Sequence, residues 1–354
     1  MSIDRPTAEQ IAGVATRLGY PSAARDAGQF AEVMSGLHPD AFRLEPTMPR
    51  PQISTEDVSY RKRVRVLDTD MAYVDVGEGD PIVFLHGNPT PSYLWRNIIP
   101  YVLPVGRCLA PDYVGMGNSG PAPDGSYRFF DQQRYLDAWF ETMSLTENVI
   151  LVVHDWGSAL GFSWAYRHQD RVKAIVYMES LVRPFRSWDE WPEATRRFFQ
   201  AQRSEAGEDL ILQKNLFIEY LLPLRNIASE ALETYRRHYR NPGPSRQPML
   251  SWTRDLPIAG EPQDVVDVIE QYSQWLAESP IPKLFIDAEP AGFLIGPVRE
   301  FCRAWPNQET ITVDGAHFVQ EDSPDAVGEA TARFVAKVLA AGSASATTSS
   351  GRRT

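Results

Sequence analysis

The chain has 354 residues, 43% hydrophobic and 23% charged, which fits a folded globular protein and excludes disordered, collagen-like and disulfide-rich classes. Its 46 acidic and 35 basic residues give a net charge of -11, and no Lys/Arg cluster offers a nucleic-acid-binding face. No run approaches the roughly eighteen apolar residues of a membrane span. The start, MSIDRPTAEQ, lacks the apolar core of a secretory signal, so a cytoplasmic protein is the expectation.

Thr7 to Leu18 places Ile11, Val14 and Leu18 at helical spacing and ends at Gly19, a C-cap residue. A second short helix is expected from Asp26 to about Leu37, followed by a connector marked by Pro46, Pro49 and Pro51. Arg63–Leu67 and Met71–Val76 alternate as strands, and Pro81–Leu85 is a continuous apolar run with a helix expected from about Ser92. Further strands are expected at Arg107–Ala110, Asn148–Val153, Ala174–Met178, Lys283–Ile286 and Thr310–Val313. Apolar strands alternating with helices imply a mostly parallel sheet covered on both faces. Between Glu179 and about Pro280 no strand is evident, and the aromatics and helix formers there read as an inserted helical cap. The expected organisation is an appendage over 1–57, a core over 58–179 and 281–340, a cap over 180–280 and a disordered tail over 341–354. Cys108 and Cys302 have apolar neighbours, as buried free thiols do.

Open α/β sheets place chemistry beyond the carboxyl ends of their strands. The run NVILVV leads into His154-Asp155-Trp156-Gly157, the strand–turn–helix form of a nucleophile elbow with Asp155 in place of the usual serine. Val153 stands where the first glycine of that pattern usually lies. Taken alone, Asp155 could be an ordinary helix N-cap. Two features outweigh that reading. His86-Gly87-Asn88-Pro89 follows an apolar strand, and His317 lies in a turn after a late strand, giving the chain order that the α/β-hydrolase fold requires. Of the six histidines, His38 lies in the appendage, His168 and His238 in polar helical contexts, and His86 and His154 beside the motifs, which leaves His317 as the base. A carboxylate is already a nucleophile at neutral pH, suits displacement at saturated carbon, and would give an ester that a base-activated water hydrolyses.

HGNPTPSYLWRN (86–97), PDYVGMGNSG (111–120), VVHDWGSALGFSWA (152–165), YMESLVRP (177–184) and GAHFVQEDSPD (315–325) together resemble haloalkane dehalogenases, most closely those with an Asp-His-Glu triad. The resemblance runs from about Val66 to about Leu339. It implies an α/β-hydrolase fold with Asp155 as nucleophile, His317 as base and Glu179 as its acid partner. Asn88 and Trp156 would be the halide-binding pair, donors suited to developing negative charge. Asp287 and Glu289 compete for the acid role, but the family's other acid position falls on Pro290. Trp191, Phe199 and Phe217, with Leu181, Phe293 and Phe318, would line the substrate pocket. The implied partners are a halogenated small molecule, water and the halide product, with no cofactor, metal, nucleic acid or membrane. Two departures bear on substrate range: Thr253 replaces a proline common in the family, and Arg225 stands at the tunnel mouth where an apolar residue is common. Three other functions stay open: a coelenterazine-type luciferase, which shares these residue sets; an epoxide hydrolase, which needs cap tyrosines; and a non-catalytic receptor.

Overall fold

The apolar runs become the interior of one eight-stranded sheet. A computed structural model describes residues 54–57, 60–225 and 227–350. The strands are β1 (Lys62–Val66), β2 (Thr69–Val76), β3 (Pro81–Leu85), β4 (Arg107–Pro111), β5 (Val149–Asp155), β6 (Val172–Ser180), β7 (Lys283–Pro290) and β8 (Gln308–Gly315). Their spatial order is β1-β2-β4-β3-β5-β6-β7-β8. Within this sheet, among the described residues, only the β1/β2 and β2/β4 pairs are antiparallel. β5 is buried along its whole length, as a central strand covered on both faces must be.

Helices α1 (Ile99–Val102), α2 (Phe129–Thr142) and α3 (Trp156–Arg167) follow β3, β4 and β5. The region between β6 and β7 holds α4 (Glu193–Arg203), α5 (Ser229–Arg237), α6 (Gln247–Asp255) and α7 (Gln263–Glu278). Isolated bridges join Phe185 to Ile258 and Ile258 to Glu261. The insertion is shorter than the expected 180–280. Its last helix, α7, returns to the core and packs on α3, with the Tyr272 ring 5.5 Å from Phe162 and Trp275 6.0 Å from Tyr166. A boundary set by the absence of strands cannot separate a cap helix from a crossover helix on the sheet.

After β7 come α8 (Gly296–Arg303), α9 (Val319–Asp322) and α10 (Pro324–Ser350). α10 continues to Ser350, into the segment expected as a tail from 341. The two expected helices of the appendage lie outside the described residues. At its end, the Ser54 carbonyl accepts from Arg96 Nε at 2.7 Å and the Thr55 carbonyl from Tyr93 Oη at 2.7 Å.

The insertion is fastened to the loop that carries His317. Arg96 forms a buried two-point pair with Glu321 at 2.5 and 2.7 Å, and Tyr235 of α5 donates to the same carboxylate. Arg225 pairs with Asp322, whose Oδ2 also accepts from Ala316 N–H at 3.0 Å. Arg225 is therefore buried in an ion pair and absent from the cavity wall, contrary to its expected tunnel-mouth position.

Candidate active site

Asp155 ends β5 with φ 49° and ψ -129°, a conformation that a non-glycine residue rarely adopts and that turns its carboxylate out of the strand. Its side chain makes no capping bond to α3. Instead Oδ1 accepts from Asn88 N–H at 2.6 Å. The turn fits because Gly157 lies against β3, where a methyl group would collide with the Leu85 and His86 carbonyl oxygens. Gly87 similarly lets the 86–89 loop pass the carboxylate. Val153 finds its room at Gly161, where a Cβ would lie 2.9 Å from Val153 Cγ1.

His317, in the turn after β8, stands between two carboxylates. Its Nε2 is 3.4 Å from Asp155 Oδ2 and its Nδ1 is 3.4 Å from Glu179 Oε2. Glu179 also has a positive φ, 43°, near the end of β6, and its Oε2 is held by the N–H groups of Gly292 and Phe293 at 2.9 and 2.6 Å. Burial alone would make the His317 cation unfavourable, but the facing carboxylates prevail and push its pKa up to about 9. Burial alone would raise Asp155, but His317, with smaller help from the Trp156 N–H, holds it below the usual carboxylate range. The competing acid, Asp287, is engaged by Arg299 and Arg303, each at 2.6 Å, while Glu289 binds Arg299 at 2.7 Å.

His86 and His154 are buried on either side of the elbow. His86 Nε2 accepts from Tyr113 N–H at 3.2 Å, so Nδ1 carries the proton and donates to the Gly87 carbonyl at 3.1 Å. Burial pushes its pKa down to about 4. His168 and His238, expected in polar surroundings, are half-buried, and His168 stacks on Trp164.

Asp155 and His317, expected as nucleophile and base, open into a largely apolar cavity. Asn88, Trp156, Phe199, Phe217, Phe293 and Phe318 line it. Asn88 Nδ2 donates to the Met249 carbonyl at 3.3 Å, which ties this loop to the insertion. Two expected wall residues lie behind the wall. Trp191 stacks on Phe293 at 5.8 Å, and Leu181 is fastened at both backbone ends, by Ser158 Oγ and Tyr272 Oη. Sequence reasoning missed Thr195, Phe198, Leu221 and Leu256, which do line the cavity, as does Thr253. The signal was present: Thr195, Phe198 and Phe199 share one helical face, and Leu221 lies one turn beyond Phe217. Among the described residues, no group of three or more His, Cys, Asp or Glu side chains could hold a metal ion, and no helix is long and apolar enough to cross a membrane.

Residues 80–216 match the family model for the alpha/beta hydrolase fold. A haloalkane dehalogenase from Sphingobium indicum is 51% identical over 284 residues, spanning 78% of this chain and 96% of that protein. The chain belongs to the haloalkane dehalogenase family. A solved haloalkane dehalogenase, DbeA from Bradyrhizobium elkani, matches with TM-score 0.75 at 40% identity, covering 79% of this chain and 99% of that one. A relative of different activity, coelenterazine h 2-monooxygenase from Renilla reniformis, is 41% identical over 285 residues, 78% of this chain and 91% of that protein. The oxygenase is thus less similar to this chain than the Sphingobium dehalogenase and about as similar as DbeA.

Proposed function

We propose that the chain hydrolyses haloalkanes to an alcohol and a halide through a covalent ester of Asp155. Hydrolytic dehalogenation is the chemistry of the family to which it belongs. The observation that carries the mechanism is a buried aspartate at the floor of a largely apolar cavity, with His317 3.4 Å away. An apolar cavity suits a neutral organic halide, and the carboxylate attacks without needing a base.

In the first step an Asp155 oxygen forms a bond to the halogen-bearing carbon as the carbon–halogen bond breaks, and the electron pair leaves with the halide. The side-chain amide of Asn88 and the indole N–H of Trp156 stabilise the departing anion. In the second step His317 takes a proton from water as the water oxygen adds to the ester carbonyl carbon. The N–H groups of Asn88 and Trp156 stabilise the oxyanion there, and Glu179 stabilises the imidazolium. Collapse returns the Asp155 carboxylate and releases the alcohol.

The Renilla relative favours a second reading, oxygenation of a coelenterazine-like substrate. Epoxide hydrolysis has less support, because no tyrosine is among the residues lining the cavity. Halide release from a panel of chlorinated, brominated and iodinated alkanes separates these readings. Turnover is expected on part of that panel. Oxygen-dependent light from coelenterazine, with no halide from any alkane, would replace dehalogenation by the second reading.

A further inference from the structure

His154 is buried, adjoins the nucleophile and has no part in the steps above. Its Nε2 lies 2.6 Å from the main-chain oxygen of His317. A carbonyl oxygen only accepts, so Nε2 carries the proton and donates. The other ring nitrogen, Nδ1, is buried without a partner, and no second proton is favoured there. Burial, reinforced by the His317 charge, pushes the His154 pKa down to about 3. His154 is therefore a neutral donor fixed in one tautomer. An imidazole with an unmatched lone pair is an unfavourable filling for a core position that an apolar residue could occupy. The donor function is what this position provides that an apolar residue would lack.

The bond connects the two halves of the chemistry. His154 lies on β5 beside Asp155, whereas the carbonyl it holds belongs to the base, in the turn after β8. Four other groups contact the imidazole of His317: Asp155 at Nε2 and Glu179 at Nδ1, with the rings of Phe293 at 4.6 Å and Phe318 at 4.8 Å. These constrain the side chain. The His154 bond instead fixes the peptide from which that side chain projects, and the two imidazoles are 4.7 Å apart.

We propose that His154 is a positioning residue for the second step only: by holding the His317 carbonyl it sets the distance from the base to the water that hydrolyses the ester. This rests on the covalent mechanism above, which separates a first step without a base from a second step that needs one. Displacing a catalytic group by about 1 Å can cost on the order of a hundredfold in rate. Loss of the donor is therefore expected to stall the ester while leaving its formation intact. A residue needed merely for folding would impair both steps together.

The test compares three variants by rapid-quench halide release and intact-protein mass spectrometry, with 1-bromohexane as probe. His154→Gln can place an amide N–H near the Nε2 position. His154→Asn keeps a polar amide that is too short to reach, and His154→Leu removes the donor. The Leu and Asn variants are expected to keep the first-turnover bromide burst within about threefold, lose on the order of a hundredfold in steady-state turnover, and accumulate alkylated protein. Gln is expected to recover most of the lost turnover. Equal loss of burst and turnover, wild-type turnover in the Leu variant, or a Gln variant no better than Leu would each overturn the proposal. Failure of the covalent mechanism looks different: the wild-type enzyme would release halide while the His317→Phe variant formed no adduct.

Discussion

The imidazole of His317 meets the carboxylate of Asp155 at 3.4 Å while its other nitrogen meets Glu179 at the same distance. A neutral imidazole has one N–H and cannot donate to both; the cation can. The proposed base is thus held protonated by the proposed nucleophile, and esterification removes that nucleophile's charge.

A proton balance follows. The His317 pKa is raised to about 9, so near neutral pH the resting base carries a proton that is lost only as pH rises through that value. Ester formation neutralises Asp155, the His317 pKa falls, and the proton leaves with the halide. Hydrolysis then returns one proton from water to His317, so the net proton of the reaction appears in the first step. Stopped-flow measurement with a pH indicator in weak buffer at pH 7.5 is expected to show proton release matching the halide burst. His317→Phe is expected to give the halide burst without the proton. Proton release that follows alcohol formation would contradict this.

The proposed halide donors are separable from the proposed base. Asn88→Ala and Trp156→Phe are each expected to slow carbon–halogen cleavage by roughly 10²–10³-fold, the usual loss for one preorganised donor. Both are expected to weaken chloride inhibition as well. Unchanged chloride affinity in both variants would remove them from the leaving-group site.

The elbow has a steric requirement. A methyl group at Gly157 would meet the Leu85 and His86 carbonyl oxygens, which belong to backbone that cannot swing aside. Gly157→Ala is expected to lower stability by about 1–3 kcal/mol, in the range of other overpacked core sites, and to displace Asp155. Thermal unfolding and the halide burst would check both effects. A variant with wild-type melting temperature and burst would mean that α3 shifts without cost.

Residues before Ser54 are expected to be dispensable for chemistry, because every proposed site residue lies after β1. A chain beginning at Ser54 should keep its halide-release rate. One beginning at Tyr60 also loses the Ser54–Arg96 and Thr55–Tyr93 hydrogen bonds. Each is worth about 0.5–1.5 kcal/mol, so the melting temperature should fall by a few degrees. Loss of turnover in a folded chain starting at Ser54 would bring the appendage into the site.

Much of the site was legible because its signals are local or ordered along the chain. Asp155 and Gly157 are two residues apart at a strand end, and His317 follows a late strand. Glu179 was harder to choose over Asp287. The arginines that engage Asp287, Arg299 and Arg303, come from the following helix, and no spacing rule assigns them. Among the residues expected to line the cavity, Leu181 and Trp191 fell one layer behind the wall. Hydrophobicity marks burial but not whether the buried side chain faces a cavity or another side chain, and Trp191 faces Phe293. Phe198 was missed although its spacing from Thr195 put both on one helical face. Arg225 was misplaced because its partner, Asp322, is 97 residues away.

The covalent ester is tested most directly by mass spectrometry of the His317→Phe variant after exposure to 1-bromohexane, with peptide mapping of the product. The expected result is one hexyl group per chain, carried on the peptide containing Asp155 and persisting because no base activates water. An unmodified Asp155 in a folded His317→Phe variant, while the wild-type enzyme releases bromide from the same substrate, would contradict nucleophilic attack by this carboxylate.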